Sequence, residues 1–438
     1  MSAFVVPNPK IYADNPAVQE RKIYPYYAGY SSVFAEAALR ALGAESGSVV
    51  LDPWNGSGTT TAAAHKMGCK VVGLDLNPVM VLVAKAQMVC DQKAAGILAS
   101  FCDAYKRHDD LESFVVQKGD PLLAWLSPSS VECIRSLEYA VRNFVEDEFG
   151  AEVSELDSVA SFSPCMAFVY VALFRCVRAL LVDFVPSNPT WVKKPRTLYE
   201  RKRPSAERIF GEFLRQFESL VGSLKNRGQM PGAADGGAFS IVVGNSDRIP
   251  LDRGSVDFVV TSPPYCTRID YAVATSIELA VLGLDEGSFS RLRRSLMGST
   301  MVSSRSFDVN ENWGKTCLDF LGAVSSHPAK ASATYYYKSH VQYFDSLYRS
   351  VEELSRVLKV GGRLVMVVQD SHYKELRNDL ALIVSEMAST AGLTLTNRTD
   401  FDSGRSMAQL NLHVRRYRSS GSAVESVLCF EKGCENGR

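Results

Sequence analysis

The chain has 438 residues, 46% of them apolar, and balances 48 basic against 48 acidic residues. Such a chain can fill a large core and perhaps a second unit, which excludes a disordered polyelectrolyte; any surface that neutralises phosphates has to be local. Ten cysteines without a Cys-x-x-Cys pair point away from a zinc site or a disulfide framework and toward reduced thiols in a cytoplasm.

In chain order, the first residues lack a charged start followed by an apolar core and cleavage site, so no secretory signal is read. Tyr24, Tyr26, Tyr27 and Tyr30 lead into 31–39, a short amphipathic helix with serine at its start. Residues 48–52 are an apolar run ending in Asp52, and Pro53-Trp54-Asn55-Gly56-Ser57-Gly58-Thr59 follows at once, ahead of an alanine-rich stretch to Met67. That pattern reads as strand, glycine turn, helix. The glycines permit positive φ and close approach of a ligand, while the helix start offers N–H groups to an anion. A second strand, 70–75, ends in Asp75, followed by Leu76, about twenty residues on, where a doubly wound sheet places an acid for ribose hydroxyls. Gly-x-Gly-x-x-Gly is absent, and no lysine follows as in a phosphate-gripping loop.

Residues 91–238 then read as a mainly helical insertion, with target recognition as one role for it. Its most apolar stretch, 165–185, holds Arg175 and Arg178 at its middle and is expected to be a buried helix, with Cys165 as a core cysteine, and not a membrane span. Residues 228–237 look like a glycine-rich linker. A third strand, 239–243, runs toward Asp247, and a fourth, 256–260, into Ser262-Pro263-Pro264-Tyr265 and Cys266, a pocket-wall residue. Both place polar residues at the carboxyl end of a strand, where open α/β sheets bind ligands. Residues 286–334 read as an irregular loop able to lie over a pocket or on nucleic acid. From 335 to 359, Val341, Phe344, Leu347, Val351, Leu354 and Leu358 recur at helical spacing; the helix is expected to stop at Gly361-Gly362, before a buried strand at 363–368. Two β-like stretches, 393–399 and 425–430, complete a core made of 1–90, 239–285 and 335–438.

Together, the Asp52 to Thr59 loop and the Ser-Pro-Pro-Tyr tetrad resemble the two hallmarks of S-adenosylmethionine-dependent methyltransferases that modify exocyclic amino groups of nucleic-acid bases. The resemblance covers 20–90, 239–284 and 335–432. It implies an α/β, Rossmann-like class I methyltransferase sheet with a large, mainly helical insertion, S-adenosyl-L-methionine as cofactor, DNA as substrate and no metal. By resemblance Asp52, Pro53, Trp54, Asn55, Gly56, Gly58 and Thr59 form the methionine site, Asp75 and Leu76 take the ribose, and Asp247 meets the adenine amine. One departure stands out: enzymes with Thr-Ser-Pro-Pro-Tyr usually carry it upstream of the glycine loop, and this chain has the opposite order.

The tetrad's composition suits the chemistry. An exocyclic amine is a poor nucleophile because its lone pair is delocalised into the ring, so acceptors must bias the nitrogen toward a tetrahedral form. The Ser262 hydroxyl and the Pro263 carbonyl can accept the two amine hydrogens, Pro264 helps fix that carbonyl's direction, and Tyr265 offers a ring to a base swung out of its duplex. In the family, serine at the first position looks more like cytosine N4 enzymes, and asparagine or aspartate is typical of adenine N6 enzymes. The expectation is a cytoplasmic DNA (cytosine-N4) methyltransferase in restriction–modification or phage defence, with defence-system proteins as candidate partners and no membrane. Adenine N6 methylation, RNA base amino-methylation and a non-catalytic cofactor-binding DNA module are the alternatives; the last would have a decayed loop or tetrad, and both are intact. Candidate nucleic-acid contacts are Lys193, Lys194 and Arg196; Arg201, Lys202 and Arg203; Arg291, Arg293 and Arg294; and Arg415, Arg416 and Arg418.

Overall fold

The computed structural model describes residues 4–10, 23–25, 29–106, 112, 114–149, 159–186, 191–225, 238–266, 269–303, 307–403 and 423–433. Tyr26, Tyr27, the 228–237 stretch and the Arg415, Arg416 and Arg418 cluster lie outside the described residues. The strands are β1 (Val49–Asp52), β2 (Lys70–Asp75), β3 (Phe239–Val243), β4 (Val256–Thr261), β5 (Leu358–Gln369), β6 (Ser371–Tyr373), β7 (Leu376–Asn378), β8 (Leu393–Ser403) and β9 (Ala423–Lys432). Seven of them form one sheet in the order β3-β2-β1-β4-β5-β9-β8, and β6 with β7 makes a separate hairpin. Pairings from β3 to β5 are parallel, while β9 runs antiparallel to both β5 and β8. This is the expected α/β, Rossmann-like sheet, and the direction of its closing pair, open in the sequence, is antiparallel.

Alternation along the strands divides the core. Val50, Val71, Val260, Val365 and Val367 face one side; Leu51, Leu74, Val259, Leu364 and Met366 face the other. The first side is covered by α1 (Ser32–Leu42) and α2 (Thr59–Lys66) through Phe34, Leu39 and Ala64. Ser31 caps α1 by accepting from Phe34 N, and Gly43 ends it at φ 82°. After β2 come α3 (Pro78–Ala86), α4 (Asp91–Ala104), α5 (Pro128–Phe149), α6 (Pro164–Leu180) and α7 (Ala206–Lys225). Past the tetrad lie α8 (Tyr271–Ala274), α9 (Ser276–Val281), α10 (Glu286–Ser295) and α11 (Lys315–Ser326). Finally α12 (Tyr337–Val357) and α13 (Leu380–Thr390) cover the second side of the sheet through Phe344, Leu347, Val351 and Ile383.

Two expectations change. Helix α12 ends at Val357 and β5 starts at the next residue, so Gly361-Gly362 lies inside the strand, not at a helix stop. Gly361 adopts φ 75°, and a Cβ on Gly362 would sit 2.8 Å from Lys359 O; the pair makes the irregularity where β5 shifts register against β4. The 286–334 segment, read as an irregular loop, contains α10 and α11, the latter packing Phe320, Leu321 and Val324 under the sheet. Cys317, Phe320, Leu321 and Val324 recur at helical spacing, a short signal that the serine-rich stretch before it obscured.

Helix α6 is buried on nearly every face, with Cys165 in its core, and no helix among the described residues is long and apolar enough to cross a membrane. It shares one continuous core with α3, α4, α5, α7 and α9. Two arginines lock these helices to the segment after the tetrad. Arg135 on α5 donates to Ala280 O (2.9 Å) and Val281 O (2.6 Å) at the end of α9, and is paired with Asp120 and Glu138. Arg178 on α6 donates to Ala274 O (2.7 Å) at the end of α8 and holds Glu278, whose side chain is 0% exposed, through two hydrogen bonds. The buried Tyr24 hydroxyl bonds to the same pair.

Breaking such a pair strands a buried charge. Arg178→Met is expected to cost about 3–5 kcal/mol in urea unfolding, and the double variant R178M/E278M to recover at least half of that loss. A single-variant cost below about 1 kcal/mol, the scale of an exposed ion pair, would show that the two units are not joined there.

Candidate active site

The site forms where β1 and β4 lie side by side, the point at which strand order reverses and open α/β sheets leave a crevice. Asp52 ends β1 and Thr261 ends β4, and the Thr261 hydroxyl donates to Asp52 Oδ1 at 2.6 Å. Trp54 N donates to the same oxygen (3.2 Å), and the Tyr30 hydroxyl reaches Oδ2 at 3.4 Å. The loop after Asp52 is pinned at Asn55 and Gly56. Asn55 N donates to Leu74 O (2.9 Å), and Asn55 Oδ1 accepts from Thr61 (3.0 Å). Asn55 lies over Gly73, where a Cβ would come within 2.5 Å of Nδ2. Gly56 N donates to Asp75 Oδ2 (2.9 Å) and Asn77 N to Oδ1 (2.8 Å), so Asp75 is fixed by backbone donors and keeps further lone pairs for a ligand.

One cavity of about 510 Å³ joins the two motifs. Asp52, Pro53, Trp54, Asn55, Gly56, Thr59, Asp75, Leu76, Asp247 and all of Ser262, Pro263, Pro264 and Tyr265 line it. Gly58 does not. It sits at φ 82° with its missing Cβ aimed at Ala84, 2.7 Å from that residue's Cβ, so it serves the close packing of the loop on α3. Cys266 also lies off the lining and packs on the core between sheet and α12. Asp247 stands 3.5 Å from Arg349 Nη2.

The tetrad is held from three directions. The Tyr343 hydroxyl on α12 donates to Pro264 O (2.8 Å), Tyr265 N donates to the Tyr271 hydroxyl on α8 (3.4 Å), and Gly298 approaches so closely that a Cβ there would be 2.7 Å from Tyr265 O. Among the described residues no hydrogen bond occupies the Ser262 hydroxyl or the Pro263 carbonyl. Tyr24 and Tyr30, open in the sequence between packing and ligand roles, line the cavity, as does Arg294, named only as a nucleic-acid contact; Arg178, Tyr271, Gln342 and Tyr343 line it too and were missed as site residues. Tyr343 adjoins Phe344 in the periodic pattern of α12, and nothing local distinguishes it from a core aromatic.

Residues 32–86 match a family model described as DNA methylase. The match spans α1 to α3, including the loop and Asp75, and stops short of the tetrad. Among curated proteins, the chain is 26% identical over 183 residues to the type II methyltransferase M.AvaI of Nostoc sp., covering 38% of this chain and 37% of that one. It is 23% identical over 286 residues to the type II methyltransferase M.BsoBI of Geobacillus stearothermophilus, covering 63% and 55%. The chain thus spans less than two thirds of either relative. Among solved structures, a geranyl diphosphate methyltransferase in complex with SAM aligns over 92% of this chain and 85% of that one, at 11% identity and a TM-score of 0.32; the fold rests on the strand order, not on that overlay.

Burial raises the carboxyls of Asp52 and Asp75 from 3.8 to about 6; the hydrogen bonds each accepts pull the other way, and the charge of Asp52 adds a smaller upward push on Asp75. Because both folded values exceed the unfolded ones, the stabilising contribution is full below about pH 4 and is lost as pH rises through about 6. At neutral pH both carboxyls ionise at a cost, which further hydrogen-bond donors reaching them would lower. The carboxyl carbons of Asp52 and Asp75, assigned with single Asp→Asn variants, are expected to titrate by NMR with midpoints near 6; midpoints near 3.8 would mean an open, fully hydrated wall.

Proposed function

We propose that the chain is a DNA amino-methyltransferase of the type II modification kind, using S-adenosyl-L-methionine and acting on cytosine N4. The observation that carries the reading is the shared cavity: the glycine loop and Asp75 form one wall, and the tetrad, with its unengaged acceptors, forms the facing one. The donor and acceptor set fits the cofactor. A 510 Å³ cavity is of small-molecule size. The start of α2 beside Thr59 presents first-turn N–H groups suited to a carboxylate, Asp75 can accept from ribose hydroxyls, and Asp247 from an adenine amine. The match of 32–86 to the DNA methylase model and the likeness to two type II methyltransferases support the same assignment.

When bound, the cofactor supplies an electrophilic methyl group. The chain's own residues do the rest. The Ser262 hydroxyl and the buried Pro263 carbonyl accept the two hydrogens of the target amine, turning its lone pair toward the loop side of the cavity. Tyr343 and Tyr271 hold Pro264 and Tyr265 so that this pair of acceptors is fixed before the base arrives. The half-buried Tyr265 gives the base a stacking surface, and Asp52 ties the loop to the tetrad through Thr261. Serine at the head of the tetrad favours cytosine N4 over adenine N6.

Expression in a host without DNA methylation, followed by mass spectrometry of digested nucleosides, tests this. The expected product is N4-methylcytosine, reduced about 10²-fold by Ser262→Ala as one transition-state hydrogen bond is lost. N6-methyladenine would keep the chemistry and overturn the base; a protein that binds the cofactor and leaves the DNA unmethylated would overturn the reading.

A further inference from the structure

The insertion carries a second feature that the cavity does not use. Residues 191–203 form an exposed strap holding six cations, Lys193, Lys194, Arg196, Arg201, Lys202 and Arg203, against a single carboxylate, Glu200, in a chain whose net charge is zero. The strap is pinned at both ends. Near its start, Val192 is buried, Lys193 N donates to Phe184 O (2.8 Å) and Trp125 Nε1 donates to Lys193 O (2.8 Å). At its far end, Lys202 N donates to Trp125 O (2.9 Å), Ser127 N to Lys202 O (2.9 Å), and the Lys202 ammonium pairs with Asp183.

Between the pins Lys193, Lys194, Arg196, Leu198 and Tyr199 are exposed and Arg201 is half-buried, while the Lys194 ammonium lies over the Trp125 ring. Lys193, Arg196, Arg201 and Arg203 make no ion pair among the described residues. Trp191 is 51% exposed and Tyr199 89%, with Leu198 beside it at 65%, an arrangement that solvent alone does not favour. The strap also starts at the cavity rim: Phe184, which anchors Lys193, is followed by Val185 and Pro186, both of which line the cavity.

We propose that this strap grips the phosphodiester backbone of the DNA flanking the target base, its cations neutralising phosphates and Tyr199 stacking on a base or sugar. Unpaired cations on a fixed backbone bind phosphate without losing internal partners, and each contact releases counterions. Aromatic rings interleaved with them suit a strand that must be opened beside the flipped base. The inference rests on the DNA reading above.

The test uses the full chain with Lys193→Ala, Arg196→Ala, Arg201→Ala and Arg203→Ala combined, and separately Tyr199→Ala and Tyr199→Phe. The readouts are binding of a fluorescein-labelled DNA duplex of mixed sequence over a salt series, KM for unmethylated genomic DNA, and cofactor affinity as the folding control. For the combined variant, the slope of log affinity against log salt is expected to become shallower by about 3 to 4, at about 0.9 per phosphate contact. KM for DNA should rise at least about tenfold while cofactor affinity stays unchanged, and Tyr199→Ala should weaken DNA binding about tenfold with Tyr199→Phe restoring it. If the wild type methylates DNA and the combined variant keeps its slope and KM, the strap assignment is wrong and the functional reading stands. Loss of binding to RNA but not to DNA would overturn it too, and a wild type that binds cofactor and no DNA removes both.

Discussion

A buried hydrogen bond from the Thr261 hydroxyl to Asp52 Oδ1, backed by one from the Thr60 hydroxyl to Val260 O (3.0 Å), joins two motifs 209 residues apart. Thr261 is the residue before Ser262, and Asp52 the residue before the glycine loop, so the bond sets the distance between the two walls of the cavity. It exists because β1 and β4 are parallel neighbours in register, with Val50 opposite Phe258 and Leu51 opposite Val259. A slip of one residue would turn Thr261 to the other face and separate the walls. The same bond lowers the cost of the buried carboxylate without cancelling it, which is why Asp52 stays at about 6.

The large helical insertion is bound to this arrangement, not appended to it. Arg135 and Arg178 reach from α5 and α6 to the terminal carbonyls of α9 and α8, which have no partner within their own helices. From the opposite side Tyr343 on α12 fixes Pro264. The tetrad is therefore over-determined by contacts from three parts of the chain, the condition for acceptors to be oriented before a substrate arrives.

Much of the fold was legible because its signals are local. Apolar runs ending in Asp52 and Asp75, the capped start of α1 at Ser31, and the helical spacing from Val341 to Leu354 each arise from neighbours in sequence. What the sequence did not show depends on distant partners. Gly361-Gly362 looked like a helix stop, and its work in a bulge against Asp257 O is visible only once β4 and β5 are paired. Gly58 read as a ligand-facing glycine, but Ala84 of α3 is what requires it to lack a side chain. Tyr343 and Arg178 are indistinguishable in sequence from core and surface residues of their helices, and only the packing brings them to the cavity.

The most direct test of one cavity serving both motifs is a crystal structure with sinefungin, an unreactive analogue of S-adenosylmethionine. The expected density puts the amino-acid end against the loop at 53–59, the adenosine between Asp75 and Asp247, and the group that replaces the methyl facing the Pro263 carbonyl. Density outside the cavity, or with the adenosine lodged in the loop and the amino-acid end at Asp247, would contradict the assignment of the two walls.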